Sequence, residues 1–120
     1  LLVVDDEPLV RDLATSILNT LGYEILEAAN GAEAVEIHDR ERGSLDGIVL
    51  DLSMPVLSGR EALAQIRTVD PDIPVLLCTG YDLIGTGESA ETMGAQGVLR
   101  KPFSLTGMAE AVAKLLAGSA

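Results

Sequence analysis

The stretch Leu1-Leu2-Val3-Val4-Asp5-Asp6-Glu7-Pro8 joins a short apolar run to three acidic residues and a proline. Four consecutive apolar residues are typical of a buried β-strand, and proline suits the first turn of an α-helix. The stretch therefore predicts a strand that leads directly into a helix, with the acidic residues at the carboxyl end of the strand.

The same alternation of strand and helix runs along the whole chain. Helix start signals precede segments of helical period: Asn30 and Ser104 suit N-caps, and Ser58 with Glu61 forms a capping box. The segment 86–95, rich in Gly and Thr, is the weakest helix prediction. The predicted strands cover residues 1–4, 24–28, 47–50, 74–78 and 97–99. Strands joined by helices are parallel, and the apolar middle strands predict helices on both faces, so we expect an α/β fold with a doubly wound (βα)5 sheet.

Length and hydropathy set the scale of the molecule. We expect residues 1–120 to form a single domain, since this length is typical of one. The chain is 48% hydrophobic with a mean hydropathy of +0.31, but no apolar run approaches the ~20 residues of a membrane span. Leu1 is not Met and already lies in a predicted strand, so we expect either that the natural start of the chain is missing or that this chain is a piece of a longer one.

Charge and cysteine content exclude several classes of function. Acidic residues outnumber basic ones by 19 to 8, and the net charge is −11. Nucleic acid backbones are bound by clustered cations, so we expect no direct nucleic acid partner. The single cysteine, Cys78, excludes an intramolecular disulfide and a multi-cysteine metal site. We therefore expect a reducing compartment, the cytoplasm.

Polar residues follow four of the predicted strands. Asp5 and Asp6 follow the first strand, Asp51 the third, Thr79 the fourth and Lys101 the fifth. In parallel sheets, functional groups gather at the carboxyl ends of the strands. We therefore expect these side chains to share one edge of the sheet, called here the acidic rim.

The acidic rim predicts a site for a phosphoryl group. Neighbouring carboxylates repel one another unless a cation neutralises them, and oxygen ligands alone favour a hard divalent ion, Mg²⁺ or Mn²⁺. Lys101 supplies a point charge suited to phosphate. Asp51 is then free to attack phosphorus and form an acyl phosphate.

Four segments of the chain together resemble the receiver domains of two-component response regulators. They are Val3-Val4-Asp5-Asp6-Glu7-Pro8, the run 49–55 followed by Ser58-Gly59, Leu77-Cys78-Thr79-Gly80, and Lys101-Pro102-Phe103. The resemblance implies a flavodoxin-like three-layer sandwich with strand order 2-1-3-4-5. It also implies a phosphorylation-controlled switch.

The resemblance assigns a role to each residue of the acidic rim. Asp51 is the expected phosphoacceptor. Asp6 and Asp51 are expected to bind Mg²⁺ directly, Asp5 through water, and Ser53 through its backbone carbonyl. Thr79 is the expected switch hydroxyl, and Lys101 is the ion-pair partner of the phosphoryl group.

The same resemblance implies the partners. The phosphoryl donor is a phosphohistidine on a cognate histidine kinase or histidine phosphotransfer protein. The domain itself catalyses only its own phosphorylation and the slow hydrolysis that reverses it. A weak dimer through the predicted fourth helix (86–95), the fifth strand (97–99) and the fifth helix, which follows Ser104, also fits this family.

One departure from the receiver pattern and one other class of enzyme leave alternatives open. Val98 stands where many receivers carry Tyr or Phe, three residues before Lys101. The domain could therefore act as a phosphate sink or docking module within a hybrid histidine kinase. An aspartate-nucleophile phosphatase of the haloacid dehalogenase type is an alternative of another class. That family needs a second Asp where this chain has Ser53.

For several residues a structural role is the simpler interpretation. Asp5 and Asp6 could cap the helix that follows them, although Asp51 and Lys101 at the same rim favour a functional site. We expect Cys78 to be a small buried side chain and His38 to lie at the edge of a packed helix face.

Overall fold

The computed structural model describes residues 1–52, 57–79, 94–101 and 103–117. Its strands are β1 (Leu2–Val4), β2 (Leu26–Ala28), β3 (Ile48–Asp51), β4 (Val75–Thr79) and β5 (Gly97–Arg100). The helices of the described part are α1 (Pro8–Thr20), α2 (Gly31–Arg40), α3 (Gly59–Val69) and α4 (Leu105–Ala117). Most of the predicted helix over 86–95 lies outside the described residues.

The five strands form one parallel sheet in the order β2-β1-β3-β4-β5. The predicted fold class and strand order are confirmed. The strands begin up to two residues later than the sequence predicts, apart from β5. Strands β3, β4 and β5 each run one residue further, because Asp51 pairs with Cys78 and Thr79 pairs with Arg100. The last residue of each of these strands is therefore polar.

The sheet is covered on both faces, as its apolar strands predict. Leu50 and Leu77 point to the face on which α2 and α3 pack, with Leu63 and Ile66 of α3 in the same cluster. The opposite face of the sheet packs against α1 and α4. Val3, Val49 and Leu76 of the sheet share a cluster with Ile17 and Leu18 of α1 and with Met108 and Val112 of α4. Over the described residues, the molecule is thus a three-layer sandwich whose sheet is buried between α2 and α3 on one face and α1 and α4 on the other.

Local capping explains where the helices begin. The side chain of Asn30 accepts a hydrogen bond from the Glu33 amide at 2.9 Å. Ser58 and Glu61 form the predicted capping box at the start of α3. The Ser104 hydroxyl accepts from the Gly107 amide at 2.9 Å in the first turn of α4. These bonds satisfy amides that have no partner within the helix.

Helix α1 starts differently. Its N-cap residue is Glu7, which makes no side-chain capping bond, and Pro8 begins the helix. Asp5 Oδ1 accepts from the Glu7 amide at 3.0 Å, so it bonds the N-cap residue itself rather than the first turn of the helix. Helix capping therefore does not account for the acidic residues that follow β1.

The side chains of Cys78 and His38 are both buried. Cys78 is buried in β4, as expected. His38 is only 1% exposed and lies deeper than the edge position that the sequence suggests. Its Nε2 lies 2.9 Å from Asp70 Oδ2, at the end of α3.

None of the described helices combines the length and apolar character needed to cross a lipid bilayer.

Candidate functional site

Three carboxylates meet at the carboxyl edge of the sheet. Asp5 follows β1, Asp6 begins the connection to α1, and Asp51 is the last residue of β3, the strand next to β1. One oxygen from each of the three lies within 4.8 Å of the others. Asp5 and Asp51 are almost fully buried, at 5% and 4% exposure. The parallel arrangement therefore gathers negative charge where water screens it poorly.

Lys101 lies against this cluster from the side of β5. Its Nζ is 2.8 Å from Asp5 Oδ2, 3.3 Å from Asp51 Oδ1 and 4.0 Å from Glu7 Oε1. The Lys101 amide also donates to the Thr79 carbonyl at 2.7 Å. One ammonium thus bridges two buried carboxylates, and its backbone is tied to the end of β4.

The electrostatics of the cluster are unbalanced. The pKa of Asp51 is raised from 3.8 to about 6, chiefly by burial and then by the negative charge of Asp5, while Lys101 acts in the opposite direction. Burial tends to lower the pKa of Lys101, but its hydrogen bond to Asp5 and its attraction to Asp51 outweigh this effect and raise that pKa. When all groups are ionised, three carboxylates face one ammonium, so the site carries excess negative charge.

The donor set fits a hard divalent cation. The Asp5, Asp6 and Asp51 cluster offers oxygen atoms only, the ligands that Mg²⁺ prefers. Cys78 lies one strand away, opposite Asp51. Burial raises the pKa of its thiol to about 12, so it stays neutral and is a poor metal ligand. An acidic site that could hold Mg²⁺ is therefore present in this fold.

The backbone around Asp51 is held by a close approach of α3. The Gly59 amide donates to the Leu52 carbonyl at 3.0 Å. A Cβ on Gly59 would overlap the backbone oxygen of Asp51. Only glycine lets the start of α3 lie directly against the end of β3.

The backbone around Asp5 is held by groups that sequence reasoning missed. The Asp5 amide donates to the Ala28 carbonyl at 3.1 Å. The Asp5 carbonyl accepts from Arg11 Nη1 at 2.7 Å, and Arg11 Nε lies 3.5 Å from Glu27 Oε1. Arg11 is the only Lys or Arg among the first 39 residues. That isolation, one turn into α1, is the one sequence signal that could have pointed to it.

The remaining predicted site residues are placed as follows. Thr79 is buried at the end of β4, at the same edge of the sheet. Val98 lies on β5 and is 38% exposed. Ser53, predicted to bind the metal through its backbone, lies outside the described residues. Asp5, Asp6, Asp51 and Lys101 are the predicted residues that the structure brings into direct proximity.

Comparison with known proteins agrees with this geometry. A sequence family described as "Response regulator receiver domain" matches residues 1–113. Sporulation initiation phosphotransferase F of Bacillus subtilis is 33% identical over 116 residues, which are 97% of this chain and 92% of that protein. Sensor kinase CckA of Brucella abortus is 36% identical over 115 residues, 96% of this chain but only 12% of the kinase.

Solved structures give the same fold. The response regulator protein TrrA from Thermotoga maritima, in complex with Mg²⁺ and BeF, superposes with a TM-score of 0.84 and 37% sequence identity, covering 96% of each chain. The chemotaxis protein CheY4 of Vibrio cholerae superposes with a TM-score of 0.88 at 30% identity, again covering 96% of each chain.

Proposed function

Because the chain belongs to the family of response regulator receiver domains, a phosphoacceptor family of two-component signalling, we propose that Asp51 is its phosphoacceptor. The observation that carries this proposal is the position of the Asp51 carboxylate, buried at the sheet edge between two other carboxylates and the Lys101 ammonium. We propose further that residues 1–120 act as one receiver domain.

The transfer reaction follows from the charges of these groups. An ionised oxygen of Asp51 attacks the phosphorus of a phosphohistidine, the P–N bond breaks, and the imidazole nitrogen keeps the electron pair and takes a proton from water as it leaves. The product is a mixed anhydride between the Asp51 carboxyl and phosphate. Lys101 Nζ, 3.3 Å from Asp51 Oδ1, is placed to donate to an oxygen of the transferred group. Burial keeps the Asp51 carboxylate poorly solvated, which favours attack.

A divalent cation completes the charge balance. We propose that Asp6 and Asp51 bind Mg²⁺ directly, that Asp5 acts through water, and that the Ser53 carbonyl contributes a further oxygen; Mn²⁺ suits the same donors. When bound, the cation neutralises negative charge on the transferred phosphoryl oxygens. The protein's own contribution is to hold the three carboxylates together against their repulsion.

Phosphorylation would then change the surface beside the site. The new group adds up to two negative charges next to Lys101, and the Thr79 hydroxyl at the end of β4 turns toward it. The backbone bond from Lys101 to Thr79 links this change to the start of the connection after β5. The output surface includes β5, α4 and the segment 86–95, predicted to be a helix, and we propose that the same elements support a weak dimer. A population shift of this kind needs different contacts in the two states.

The partner that supplies the phosphoryl group must dock at the acidic rim. Leu9, Leu13 and Leu105 are 84%, 51% and 63% exposed; Leu9 and Leu13 lie in the first two turns of α1 and Leu105 begins α4, and both helices start just after the site residues. Leu9 and Leu13, four residues apart, share one face of α1, and adjoining exposed apolar side chains mark protein interfaces. We propose that a cytoplasmic histidine kinase or histidine phosphotransfer protein places an apolar helix face on them.

A phosphate sink within a hybrid kinase is the second candidate. The observation that favours it is Val98, an aliphatic side chain on β5 in place of an aromatic one. The sensor kinase CckA of Brucella abortus carries a segment like this chain within a much longer protein. In a sink, Asp51 is phosphorylated in the same way, but the β5 and α4 surface does not change.

Phosphoryl uptake tests the proposal. The protein is incubated with Mg²⁺ and acetyl phosphate, and its intact mass is measured. We expect one phosphoryl group on the wild type and on Asp72→Asn, an exposed control, and none on Asp51→Asn. Uptake by Asp51→Asn, or no uptake by the wild type, would contradict the assignment; the second result favours a docking module. Chemical shifts of β5 amides before and after uptake separate the switch from the sink.

A further inference from the structure

The peptide bond between Asp5 and Asp6 has an unusual anchor. Its carbonyl oxygen, which belongs to Asp5, accepts a 2.7 Å hydrogen bond from the guanidinium of Arg11, one turn into α1. A peptide unit is planar, so a bond that fixes its oxygen also fixes the direction in which the Asp6 backbone leaves β1. Hydrogen bonds from a charged donor are stronger than neutral ones.

Arg11 is itself held from the other side. Its Nε lies 3.5 Å from Glu27 Oε1, and the Thr15 hydroxyl donates to the same oxygen at 3.2 Å. Glu27 is the middle residue of β2, the strand next to β1. The Arg11 side chain is only 19% exposed. Helix α1 and strand β2 thus clamp the guanidinium against the Asp5 carbonyl.

The other polar groups of Asp5 bind elsewhere. Its amide bonds to Ala28, its Oδ1 accepts from the Glu7 amide, and its Oδ2 contacts Lys101. These contacts orient Asp5 itself. The Arg11 bond is the contact of Asp5 that acts on the peptide leading to Asp6, the more exposed of the two carboxylates.

We propose that Arg11 is a positioning residue for the divalent-cation site, which it preorganises by holding the peptide between Asp5 and Asp6. This inference rests on the proposed function, because it assumes that the three carboxylates bind Mg²⁺. A ligand that is already oriented loses less conformational freedom when the metal binds. Arg11 touches neither metal nor phosphate and acts through the backbone of the ligands.

The direction in which Mg²⁺ affinity changes on replacing Arg11 distinguishes a positioning role from a purely electrostatic one. Arg11 is a cation near a cation site, so its removal should tighten Mg²⁺ binding if simple Coulomb repulsion dominated. Loss of the anchor predicts the reverse. Removing a group that orients metal ligands costs about 10- to 100-fold in affinity, so Arg11→Gln should weaken Mg²⁺ binding by about tenfold.

Calorimetric titration of the whole chain with Mg²⁺ alone tests this. Arg11→Lys keeps the positive charge and can donate one hydrogen bond, but it lacks the planar guanidinium that donates to two partners. We therefore expect its Mg²⁺ affinity to fall by about threefold. Arg42→Gln is the matched control, because it removes the same charge from an exposed ion pair with Asp39, 3.1 Å across. We expect its affinity to stay within about twofold of the wild type, since such pairs contribute little.

The Mg²⁺ dependence of phosphorylation by acetyl phosphate gives a second readout. Arg11→Gln should raise the half-saturating Mg²⁺ concentration by about tenfold. Its rate at saturating Mg²⁺ should stay within about twofold of the wild type, because bound metal then orients Asp6 directly. A merely structural role would instead lower the saturated rate and leave the half-saturation point unchanged.

The outcomes are distinguishable. Equal or tighter Mg²⁺ binding by Arg11→Gln, or an equal loss in Arg42→Gln, would overturn the inference. If Arg11→Gln fails to fold, Arg11→Lys decides: wild-type affinity would overturn the inference and a partial loss supports it. A wild-type protein that binds no Mg²⁺ and takes up no phosphoryl group would refute the proposed function itself.

Discussion

Lys101 Nζ lies 3.3 Å from Asp51 Oδ1, although the two residues follow or end strands that are not neighbours in the sheet. The same ammonium is 2.8 Å from Asp5 Oδ2. Lys101 therefore contacts both buried carboxylates of the cluster, Asp5 and Asp51. Because Lys101 directly follows β5, it links these carboxylates to the end of that strand.

The first prediction concerns Lys101. Lys101→Gln removes the cation beside Asp51 and leaves two buried carboxylates without it, so phosphorylation by acetyl phosphate should slow by about 10- to 100-fold. The rate is measured by intact-mass analysis over time at saturating Mg²⁺. Lys114→Gln, in the last turn of α4, is the control and should react like the wild type. A Lys101→Gln rate equal to that of the wild type would exclude a direct role for the ammonium.

The second prediction concerns the stability of the metal-free protein. The folded pKa of Asp51, about 6, lies above its usual value of 3.8, so the folded state binds this proton more tightly than the unfolded state. Ionisation of Asp51 therefore costs stability, progressively between these two values and fully above about pH 6. Asp51→Asn should raise the free energy of unfolding near pH 7 by about 1 to 3 kcal/mol.

Urea denaturation across pH, with a metal chelator present, measures this effect. The advantage of Asp51→Asn over the wild type should shrink as pH falls and vanish below about pH 4. Added Mg²⁺ should reduce the difference at pH 7, because it binds the wild type more tightly. An Asp51→Asn protein that is less stable than the wild type at pH 7 would contradict the unbalanced charge described here.

The third prediction concerns Gly59. A Cβ there overlaps the Asp51 carbonyl, so Gly59→Ala must displace β3 or α3 and should cost about 1 to 3 kcal/mol of stability. Gly107→Ala is the matched control, because its Cβ would meet side-chain atoms rather than backbone, the Ser104 hydroxyl oxygen at 3.1 Å and Leu99 Cδ1 at 3.9 Å. It should stay within about 1 kcal/mol of the wild type. Thermal unfolding followed by circular dichroism compares them, and equal melting temperatures would argue against the close approach.

The fourth prediction concerns the buried His38. Its hydrogen bond to Asp70 lowers the pKa of that carboxyl. Asp70→Ala leaves a buried ring nitrogen without this partner and should cost about 1 to 3 kcal/mol near pH 7. Asp72→Ala, an exposed acid in the same loop, is the control.

The pH dependence of this loss has a definite sign. A carboxyl with a lowered folded pKa stabilises the protein above its ordinary pKa, and that contribution disappears as pH falls through the lowered value. The difference between wild type and Asp70→Ala should therefore narrow in acid. A loss that grows as pH falls would mean that the Asp70 carboxylate does not stabilise the fold in this way.

Much of the fold could be predicted because its signals are local. The apolar run before Asp5 and the alternation of strands and helices are visible in the chain, and the capping box at Ser58 is a contiguous pattern. The strand ends were less predictable. Asp51 and Thr79 join β3 and β4 because of hydrogen bonds to neighbouring strands, which no local pattern encodes.

The positions of the acidic-rim residues could be predicted from the topology, but the contacts that hold the surrounding backbone and helices in place could not. Parallel strands bring Asp5, Asp51 and Lys101 to one edge whatever the details of packing. The packing of the helices determines two other contacts, the hydrogen bond from Arg11 to the Asp5 carbonyl and the pairing of His38 with Asp70. Contacts between a side chain and a distant partner leave no periodic trace in a sequence.

Mapping the modified residue shows whether Asp51 itself becomes the mixed anhydride. The protein is phosphorylated with acetyl phosphate and Mg²⁺, the acyl phosphate is reduced with borohydride, and the peptide that carries the reduced residue is sequenced by mass spectrometry. We predict that Asp51 alone is reduced and that no residue is reduced when Mg²⁺ is omitted. Reduction of Asp5, Asp6 or any other residue, or phosphoryl uptake that does not depend on Mg²⁺, would rule out Asp51 as the Mg²⁺-dependent phosphoacceptor.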